Sequence, residues 1–278
     1  MDLQLTDKVA IVTGASKGIG RAIAETLAAE GMRVVAVARS RTLLEQLAAG
    51  RDDRCLVHAV DLSLPDAAST VVEASMAAFG RIDLLVNNAG LGLFGGAEES
   101  SVAQVQALFD VNLFGVIRMT NAVLPSMRRR SEGRIINIGS VLGLIPAPYS
   151  AHYSAAKHAL EGYSESLDHE VRAFNIRVSV IEPAFVRTVF DQNGIEPDSV
   201  LKEYDLARAG VDALLRDVMP TADLPEVVAK VVVKAATDAR PQRRYTAGKA
   251  ARQVSMLRRF APAEMFDKSL RKQFRLPV

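Results

Sequence analysis

Disulfide bonds and metal sites need residues that this sequence has little of, and a membrane span needs a long apolar run that it lacks. A single cysteine, Cys55, stands among 278 residues, so an intrachain disulfide is excluded, and its place in an apolar run predicts a buried structural thiol. The four histidines form no close ligand pair apart from the two near Tyr153, so no metal site is expected. No apolar run reaches the roughly 18 residues of a membrane-spanning helix, and none is predicted.

The N-terminal residues also lack a basic segment followed by an apolar stretch and a small-residue cleavage site, which is the pattern of a secreted protein. We therefore expect a cytoplasmic protein. With 49% apolar residues, the chain is long enough to form one large α/β domain with a substantial core.

Charge is distributed unevenly along a chain whose formal net charge is only +2. Residues 240–278 carry eleven Lys and Arg against two acidic residues, whereas residues 1–239 carry a net charge of −7. The C-terminal segment is therefore a separate electrostatic unit. Another basic run, at residues 128–130, closes a predicted helix, where cations complement the helix dipole. Because it lacks interleaved aromatic residues, no nucleic-acid partner is predicted.

Short apolar runs alternate with helical stretches along most of the chain. Strands are predicted at residues 8–13, 33–38, 56–60, 82–86, 134–138 and 176–181, and helices at 16–31, 43–49, 65–79, 102–130 and 153–174. This alternation predicts a single-domain α/β fold, a Rossmann-like doubly wound parallel sheet with a C-terminal helical extension. Residues 1–248 form the predicted catalytic domain, and residues 249–278 form a basic amphipathic extension of it. Right-handed crossovers bring the carboxyl ends of the strands to one edge of the sheet, where ligands bind.

A glycine-rich turn, Thr13-Gly14-Ala15-Ser16-Lys17-Gly18-Ile19-Gly20, directly follows the first predicted strand. Its spacing is Gly-x-x-x-Gly-x-Gly, which differs from the common Gly-x-Gly-x-x-Gly fingerprint but allows the same contacts. Glycines let the backbone approach a pyrophosphate, and the free N–H groups of the following helix favour an anion. The turn therefore predicts a dinucleotide site; glycines that only end a strand are the alternative.

The end of the second strand indicates which dinucleotide binds. NAD-selective folds place an acidic residue there to hold the ribose 2′-hydroxyl. This sequence has no acidic residue between positions 30 and 45, and Arg39 follows the strand instead. Arg39 and Lys17 predict a 2′-phosphate and hence NADP(H), with Ser40 and Arg41 as further candidates. The alternative for the two arginines is a solvated loop charge.

Further along the chain, Ser140, Tyr153 and Lys157 suit proton transfer to a substrate oxygen. Tyr153 and Lys157 are four residues apart on a predicted helix, so they share a face. A free tyrosine has a pKa near 10, and a nearby ammonium lowers that pKa towards neutrality. Ser140 can hydrogen-bond the substrate oxygen as its charge changes. Each residue alone has an ordinary structural explanation; their joint occurrence behind a dinucleotide turn predicts alcohol and carbonyl chemistry.

Together these motifs resemble those of the short-chain dehydrogenase/reductase family. The resemblance runs from Thr13 to about Thr188 and includes Asn87-Asn88-Ala89-Gly90 after the fourth strand. It implies a catalytic set made of Ser140, Tyr153, Lys157 and Asn112. It implies a cofactor site made of Gly14, Ser16, Lys17, Gly18, Ile19, Gly20, Arg39, Asp61, Asn88, Ala89, Gly90, Tyr153, Lys157, Pro183, Val186 and Thr188. One departure is Pro183-Ala184, where many relatives have Pro-Gly.

The resemblance also implies individual roles. Asp61 contacts adenine, and Asn88 holds the sheet edge and approaches the adenosine ribose. Lys157 binds the nicotinamide ribose and Thr188 reaches the carboxamide, while Asn112 holds a water in a proton relay. A homodimer or homotetramer is implied, in which the long helices at 102–130 and 153–174 pair across a two-fold axis.

Apolar residues expected around the pocket predict a lipophilic small-molecule substrate. They are Leu91, Leu93, Phe94, Leu142, Leu144, Ile145, Phe185, Val186, Val189 and Phe190. Core residues under loops are the alternative. A lid with helical pieces is predicted at about residues 185–225.

The long C-terminus resembles the branch similar to 17β-hydroxysteroid and retinol dehydrogenases. We therefore expect an NADP(H)-dependent enzyme that interconverts a secondary alcohol and its ketone. A 3-oxoacyl-thioester reductase and a non-catalytic NADP(H)-binding redox sensor are the alternatives.

Two short amphipathic helices are predicted on either side of Pro262. Their apolar residues at helical spacing are Val254, Leu257 and Phe260, then Phe266, Leu270 and Phe274. Packing over the substrate pocket is favoured because each helix is short and has few aromatic residues. Peripheral contact with an anionic membrane surface is the alternative.

Overall fold

One seven-stranded parallel sheet forms the centre of the protein. The computed structural model describes residues 5–51, 53–190 and 194–276. The strands are β1 (Val9–Thr13), β2 (Arg33–Ala38), β3 (Cys55–Ala59), β4 (Leu84–Asn87), β5 (Gly133–Ile138), β6 (Ile176–Pro183) and β7 (Arg244–Ala247). Their order across the sheet is β3-β2-β1-β4-β5-β6-β7, and every neighbouring pair is parallel. The chain order therefore reverses between β1 and β4, which is where such folds bind ligands.

Helices connect the strands and cover both faces of the sheet. They are α1 (Gly18–Ala29), α2 (Arg41–Ala48), α3 (Ala67–Phe79), α4 (Val102–Phe109), α5 (Gly115–Arg130), α6 (Ala151–Val171), α7 (Asp205–Val218), α8 (Pro225–Thr237), α9 (Lys249–Phe260) and α10 (Ala263–Gln273). Side chains alternate along β1, so that Ala10 and Val12 pack with α1, α2 and α8. Val9 and Ile11 pack on the other face with α3, α5 and α6. The predicted doubly wound fold is confirmed.

Two elements of this fold are absent from the sequence prediction. Strand β7 is only four residues long, and its first residue, Arg244, is exposed at the edge of the sheet. A short polar edge strand gives almost no hydrophobic pattern to read. Helix α8 begins with Pro225 at its first turn and buries Val228 and Val232, which are the signals that would have located it.

The helix predicted at 102–130 is interrupted by a π-helical turn, Asp110–Phe114, which separates α4 from α5. Among the described residues, Val102–Arg130 is also the one helical stretch long and apolar enough to cross a membrane. However, Met119, Val123 and Met127 of α5 are fully buried against the sheet. We therefore interpret this stretch as a core helix.

The tail forms two helices, as predicted, but the predicted apolar residues face the protein in only one of them. In α10, Leu270 and the buried Phe274 pack against Ala147 and Leu214, which is the predicted inward stripe. For α9 the prediction that the large apolar residues pack on the protein is wrong, because Leu257 and Phe260 are exposed. The inward face of α9 consists instead of smaller residues such as the buried Ala251.

A buried carboxylate fixes α6 to β6. The Asp168 side chain is fully buried and accepts hydrogen bonds from Arg177 Nε at 2.9 Å and from the backbone N–H of Val178 at 3.0 Å. Arg172 Nη2 donates to the other carboxylate oxygen. Burial alone would raise the pKa of Asp168, but these donors lower it below its ordinary value. Because α6 also carries Tyr153 and Lys157, this contact sets the position of both.

We expect Asp168→Ala to lower the free energy of unfolding by about 3 kcal/mol at pH 7, because it leaves the half-buried Arg177 and the buried N–H of Val178 without their acceptor. Urea denaturation measures the change. Glu170→Ala, which removes an exposed carboxylate from the same helix, should change stability by less than about 0.5 kcal/mol. Since the pKa of Asp168 is lowered in the fold, its stabilising effect is complete at pH 7 and declines only below about pH 4. Equal losses in the two variants would contradict the anchoring role.

Candidate active site

The ends of β1 and β4 are held side by side by the hydroxyl of Thr13. Its Oγ1 accepts hydrogen bonds from the backbone N–H groups of Asn88 at 2.9 Å and Ala89 at 3.0 Å. The Asn88 side chain returns a hydrogen bond from Nδ2 to the Thr13 carbonyl oxygen at 3.0 Å. These bonds form the floor of a crevice at the point where the strand order reverses.

The glycine-rich turn is packed so tightly that two of its glycines have no room for a side chain. Gly14 has φ +67°, and a Cβ there would stand 2.7 Å from Asn88 Nδ2. A Cβ on Gly20 would stand 2.2 Å from the carbonyl oxygen of Gly14. Helix α1 follows with its first N–H groups at the cavity, in the arrangement that binds a phosphate group.

A single cavity of about 1050 Å³ runs from the glycine turn to Tyr153 and beyond it. It is lined by all the sequence-predicted cofactor residues, namely Gly14, Ser16, Lys17, Gly18, Ile19, Gly20, Arg39, Asp61, Asn88, Ala89, Gly90, Tyr153, Lys157, Pro183, Val186 and Thr188. Thr188 closes over the turn, since its Cγ2 lies 3.1 Å from where a Cβ on Gly18 would stand. The volume of the cavity and its glycine cradle fit a nicotinamide dinucleotide with a substrate beside it.

At the adenosine end of the cavity, Arg39 and Lys17 are both exposed and line the wall, and Ser40 lines it with them. Arg41 does not reach the wall but lies 3.8 Å from Glu45 one helical turn away. Asp61 is held by the backbone N–H and the hydroxyl of Ser63, and these hydrogen bonds, with the charge of Arg39, lower its pKa. This end of the cavity therefore presents cations at the position where an acidic residue would select NAD.

Helix α6 presents Tyr153 and Lys157 to the cavity, and Ser140, which follows β5, lines the same cavity. The Ser140 Oγ accepts a hydrogen bond from the backbone N–H of Leu142 at 3.1 Å, which fixes its rotamer. Lys157 Nζ donates to the carbonyl oxygen of Ile138 at 2.8 Å and lies 5.6 Å from the Tyr153 ring centroid. Burial lowers the pKa of Lys157 to about 8, so the ammonium form still predominates at neutral pH.

Asn112 is the one predicted catalytic residue that does not line the cavity. It is buried in the π-helical turn before α5, and its side chain bonds the backbone of Leu91 at both ends. Its Oδ1 accepts from the Leu91 N–H at 2.7 Å, and its Nδ2 donates to the Leu91 carbonyl oxygen at 2.9 Å. In this structure Asn112 supports the loop at Gly90 and Leu91 that forms part of the cavity wall.

The substrate half of the cavity is largely apolar. The Tyr153 ring lies between Phe94 and Phe190, with centroid distances of 5.5 and 5.9 Å. Of the predicted pocket residues, those at the wall are Leu91, Phe94, Leu142, Phe185, Val186, Val189 and Phe190. Three others, Leu93, Leu144 and Ile145, are not at the wall. Additional lining residues come from α7 and the tail, and they are Val211, Leu215, Met219 and Phe274.

A buried ion pair that the sequence prediction missed also borders the substrate half. Glu99 is fully buried and accepts hydrogen bonds from the backbone N–H groups of Gly96 at 2.6 Å and Leu201 at 2.7 Å. Arg208 of α7 donates to it at 2.5 Å. The pair ties α7 to the segment after β4, and a Glu in a short 3-10 turn gives no sequence signal for such a contact.

Residues 8–199 match the profile of a family described as short chain dehydrogenase. The chain belongs to this family. The resemblance inferred from the sequence motifs is therefore confirmed.

Relatives of this short-chain dehydrogenase include proteins with different named activities. It is 41% identical over 190 residues to an uncharacterised oxidoreductase of Staphylococcus saprophyticus, with 67% of this chain and 81% of the relative covered. It is 35% identical over 250 residues to retinol dehydrogenase 8 of Bos taurus, with 84% and 79% covered. It is 39% identical over 183 residues to 3-oxoacyl-[acyl-carrier-protein] reductase of Escherichia coli, with 65% and 74% covered.

Solved structures of short-chain dehydrogenases share the fold over most of the chain. One from Streptomyces avermitilis has a TM-score of 0.81 at 31% identity and covers 95% of this chain and 98% of its own. One from Burkholderia phymatum, in complex with NAD, has a TM-score of 0.80 at 29% identity, with 95% and 96% covered. A metagenomic oxidoreductase in complex with NADP has a TM-score of 0.70 at 33% identity, with 87% and 97% covered. Both dinucleotides thus occur among the neighbours.

Two buried glutamates, Glu161 and Glu182, lie on either side of the same arginine, Arg244, and Glu161 is one helical turn from Lys157. Arg244 Nε donates to Glu161 Oε2 at 2.9 Å and lies 3.5 Å from Glu182 Oε1. Within the described part of the chain, Oε1 of each glutamate has no hydrogen-bond partner. Burial and the nearby Glu161 carboxylate raise the pKa of Glu182 to about 7, which Arg244 only partly opposes. The fold therefore favours protonated Glu182.

This raised pKa predicts that the stability of the protein falls as the pH rises. The protonated form of Glu182 stabilises the fold fully below about pH 4.5, and the effect is lost as the pH rises through about 7. We expect Glu182→Gln, which keeps a neutral side chain at every pH, to remove up to about 3 kcal/mol of this pH dependence.

Urea denaturation of the wild type and Glu182→Gln between pH 5 and pH 8 measures the difference. Glu165→Gln is the matched control, because Glu165 also binds Arg244 but is partly exposed. Parallel stability profiles for the wild type and Glu182→Gln would contradict the prediction.

Proposed function

We propose that this short-chain dehydrogenase is an NADP(H)-dependent oxidoreductase that interconverts a lipophilic secondary alcohol and its ketone. The observation that carries the proposal is the placement of Ser140, Tyr153 and Lys157 along one cavity, between a cationic dinucleotide end and an apolar substrate end. The relatives support the reaction class, and the substrate class rests on the apolar wall.

Proton transfer at the substrate oxygen is the task of Tyr153. A dinucleotide held by the glycine turn and Lys157 would supply hydride chemistry at nicotinamide C4, giving a hydride in the reduction and taking one in the oxidation. In the reduction, Tyr153 gives its phenolic proton to the substrate oxygen, and in the oxidation the phenolate takes the alcohol proton. Ser140 donates a hydrogen bond to the same oxygen and stabilises the charge that develops there.

Lys157 makes this proton transfer feasible near neutral pH. Its ammonium lies beside the Tyr153 ring and stabilises the phenolate form. Its hydrogen bond to the Ile138 carbonyl oxygen leaves two further N–H donors, which suit the nicotinamide ribose hydroxyls. Lys157 therefore serves both the base and the cofactor.

The cationic end of the cavity favours NADP(H) over NAD(H). Arg39 and Lys17 both line this end of the cavity and can hold a ribose 2′-phosphate, and an arginine–phosphate contact is a strong, charge-assisted hydrogen bond. The solved neighbour in complex with NADP is consistent with this proposal. Because another neighbour is in complex with NAD, the proposal rests on Arg39 and Lys17 of this chain.

We expect Tyr153→Phe to lower turnover of a lipophilic ketone at least 1000-fold, because the proton donor is lost, while dinucleotide affinity changes little. NADPH absorbance with a panel of ketones and 3-oxoacyl thioesters gives the rate, and calorimetry gives the affinity. Tyr163→Phe, which removes a hydroxyl from the same helix away from the cavity, is the control. Normal turnover by Tyr153→Phe would overturn the mechanism, and an inactive wild type that still binds NADPH would indicate a binding protein.

We expect the wild type to bind NADPH at least about tenfold more tightly than NADH. Arg39→Asp should abolish or reverse this preference, because the carboxylate repels the 2′-phosphate and accepts a ribose hydroxyl. Arg41→Asp is a matched control, since Arg41 lies outside the cavity. Equal wild-type affinities for the two dinucleotides in calorimetry would refute the preference.

We further propose a homodimer or homotetramer in which α4, α5 and α6 pair across a two-fold axis. Val102 and Phe114, which begin α4 and precede α5, are large apolar side chains exposed on this surface. We expect light scattering to show an oligomer at micromolar concentration and Phe114→Asp to shift it towards monomer. Leu206→Asp, at an equally exposed leucine of α7, should leave the assembly unchanged. A monomeric wild type would exclude this proposal.

A further inference from the structure

The outward side of α9 is apolar and basic at the same time. Its Met256, Leu257 and Phe260 side chains are 58%, 54% and 72% exposed, although they are large and apolar. Helical spacing places Lys249, Arg252 and Arg259 on the same side as Met256 and Phe260. We name these six residues the basic apolar face.

The charge of this face comes from three cations, Lys249, Arg252 and Arg259. Ion pairs of the tail join Lys268 to Glu264 and Arg275 to Asp217. Across residues 5–51, 53–190 and 194–276, no ion pair involves Lys249, Arg252 or Arg259. Arg259 instead lies over the Phe260 ring at 5.5 Å. The positive charge of the basic apolar face is therefore available to an external anion.

A polar cleft of about 610 Å³ adjoins the face and shares Arg259 with it. Its arginines are Arg172, Arg177, Arg243, Arg244 and Arg259. The first two share the Asp168 carboxylate and the next two share Glu165, while Arg244 also binds Glu161 and lies near Glu182. Each guanidinium has five N–H donors, so donors outnumber the acceptors that these carboxylates supply. The cleft suits a phosphate group next to an apolar surface.

Two other occupants fit the face less well. A second copy related by two-fold symmetry would bring the same unpaired cations against each other. A single-stranded nucleic acid needs several aromatic rings for base stacking, and Phe260 is the one aromatic residue of the face. Flexible aliphatic side chains beside cations match the acyl and phosphate layers of a membrane surface. We propose that the basic apolar face binds the surface of an anionic phospholipid membrane.

The rest of the tail presents this face in a fixed orientation. The buried Ala251 on the opposite side of α9 packs against the body of the protein. Arg258 lies 5.6 Å from the Phe266 ring and so joins α9 to α10, whose Phe274 lines the substrate cavity. The expectation that the tail packs over the pocket thus describes α10, whereas α9 faces outward. Membrane binding would place the lipid surface next to the segment that closes the cavity.

Sedimentation of the full-length protein with phospholipid vesicles tests the proposal. We expect pelleting with phosphatidylcholine vesicles that contain about 30% phosphatidylserine, little pelleting with phosphatidylcholine alone, and release at about 0.5 M NaCl. Arg252→Gln/Arg259→Gln should weaken binding about 25-fold, since each cation near the surface contributes about fivefold. Met256→Ser/Phe260→Ser should weaken it to a similar degree by removing the inserted apolar groups.

Matched variants distinguish the effect of the basic apolar face from the effects of total charge and of exposed apolar residues elsewhere. Lys202→Gln/Lys230→Gln removes two exposed cations elsewhere, and Leu206→Ser removes an exposed leucine of α7; both should bind vesicles as the wild type does. All variants should keep the wild-type melting temperature because their side chains are exposed. Equal pelleting with both vesicle types, or equal losses in face and control variants, would overturn the proposal. A smaller assembly for Met256→Ser/Phe260→Ser in light scattering would assign the face to a second copy, and displacement from vesicles by RNA would assign it to nucleic acid.

Discussion

The site depends on one constraint, which is that the ends of β1 and β4 stay at a fixed separation. Thr13 meets this constraint with a single hydroxyl that accepts two backbone hydrogen bonds from the strand-end loop of β4. The same loop leaves no space for side chains on Gly14 and Gly20, so the glycine turn is shaped by its neighbour as much as by its own sequence. If the strand ends separated, the phosphate cradle and the loop that supports the substrate pocket would both be lost.

Helix α6 is the second support, because it carries both proton-transfer residues. It is fixed at its carboxyl end by Asp168 and in its middle by the buried Ser164, whose hydroxyl accepts a hydrogen bond from Asn137 of β5 at 2.8 Å. Lys157 adds a contact to the end of β5. Contacts of this kind place catalytic groups on a rigid element, and rigidity lets preorganised charge act on the substrate oxygen.

The sequence was sufficient to predict those parts of the molecule that a short local pattern of residues determines. Strands such as β1 are short apolar runs followed by glycine, and the catalytic pair is spaced by one helical turn, so both could be read directly. The pocket was harder to predict. Glu99 pairs with Arg208 across more than 100 residues, and no local pattern encodes such a contact.

The tail shows the same limit at the level of a single helix. Periodicity identified α9 as amphipathic but could not say which side would face the protein, because its inward positions are occupied by small residues such as Ala251. In α10 the predicted stripe does face inward, since Leu270 and the adjoining Phe274 pack against the protein, and the pattern was sufficient. Where the larger side chains are not the buried ones, hydrophobic spacing gives the helix but not its orientation.

The π-helical turn at Asp110–Phe114 lets one continuous helix serve two separate cores. Val105 and Leu108 of α4 pack beside Leu93 and Tyr153, whereas Met119 and Val123 of α5 pack against the sheet. An α-helix advances by about 100° per residue, so one residue more in a single turn rotates everything that follows by about that angle. The π-helical turn thus changes the direction in which the side chains of α5 point relative to those of α4. If the helix were regular and α5 still packed on the sheet, the apolar side of α4 would point away from the pocket. Val105 and Leu108 would then no longer pack beside Tyr153.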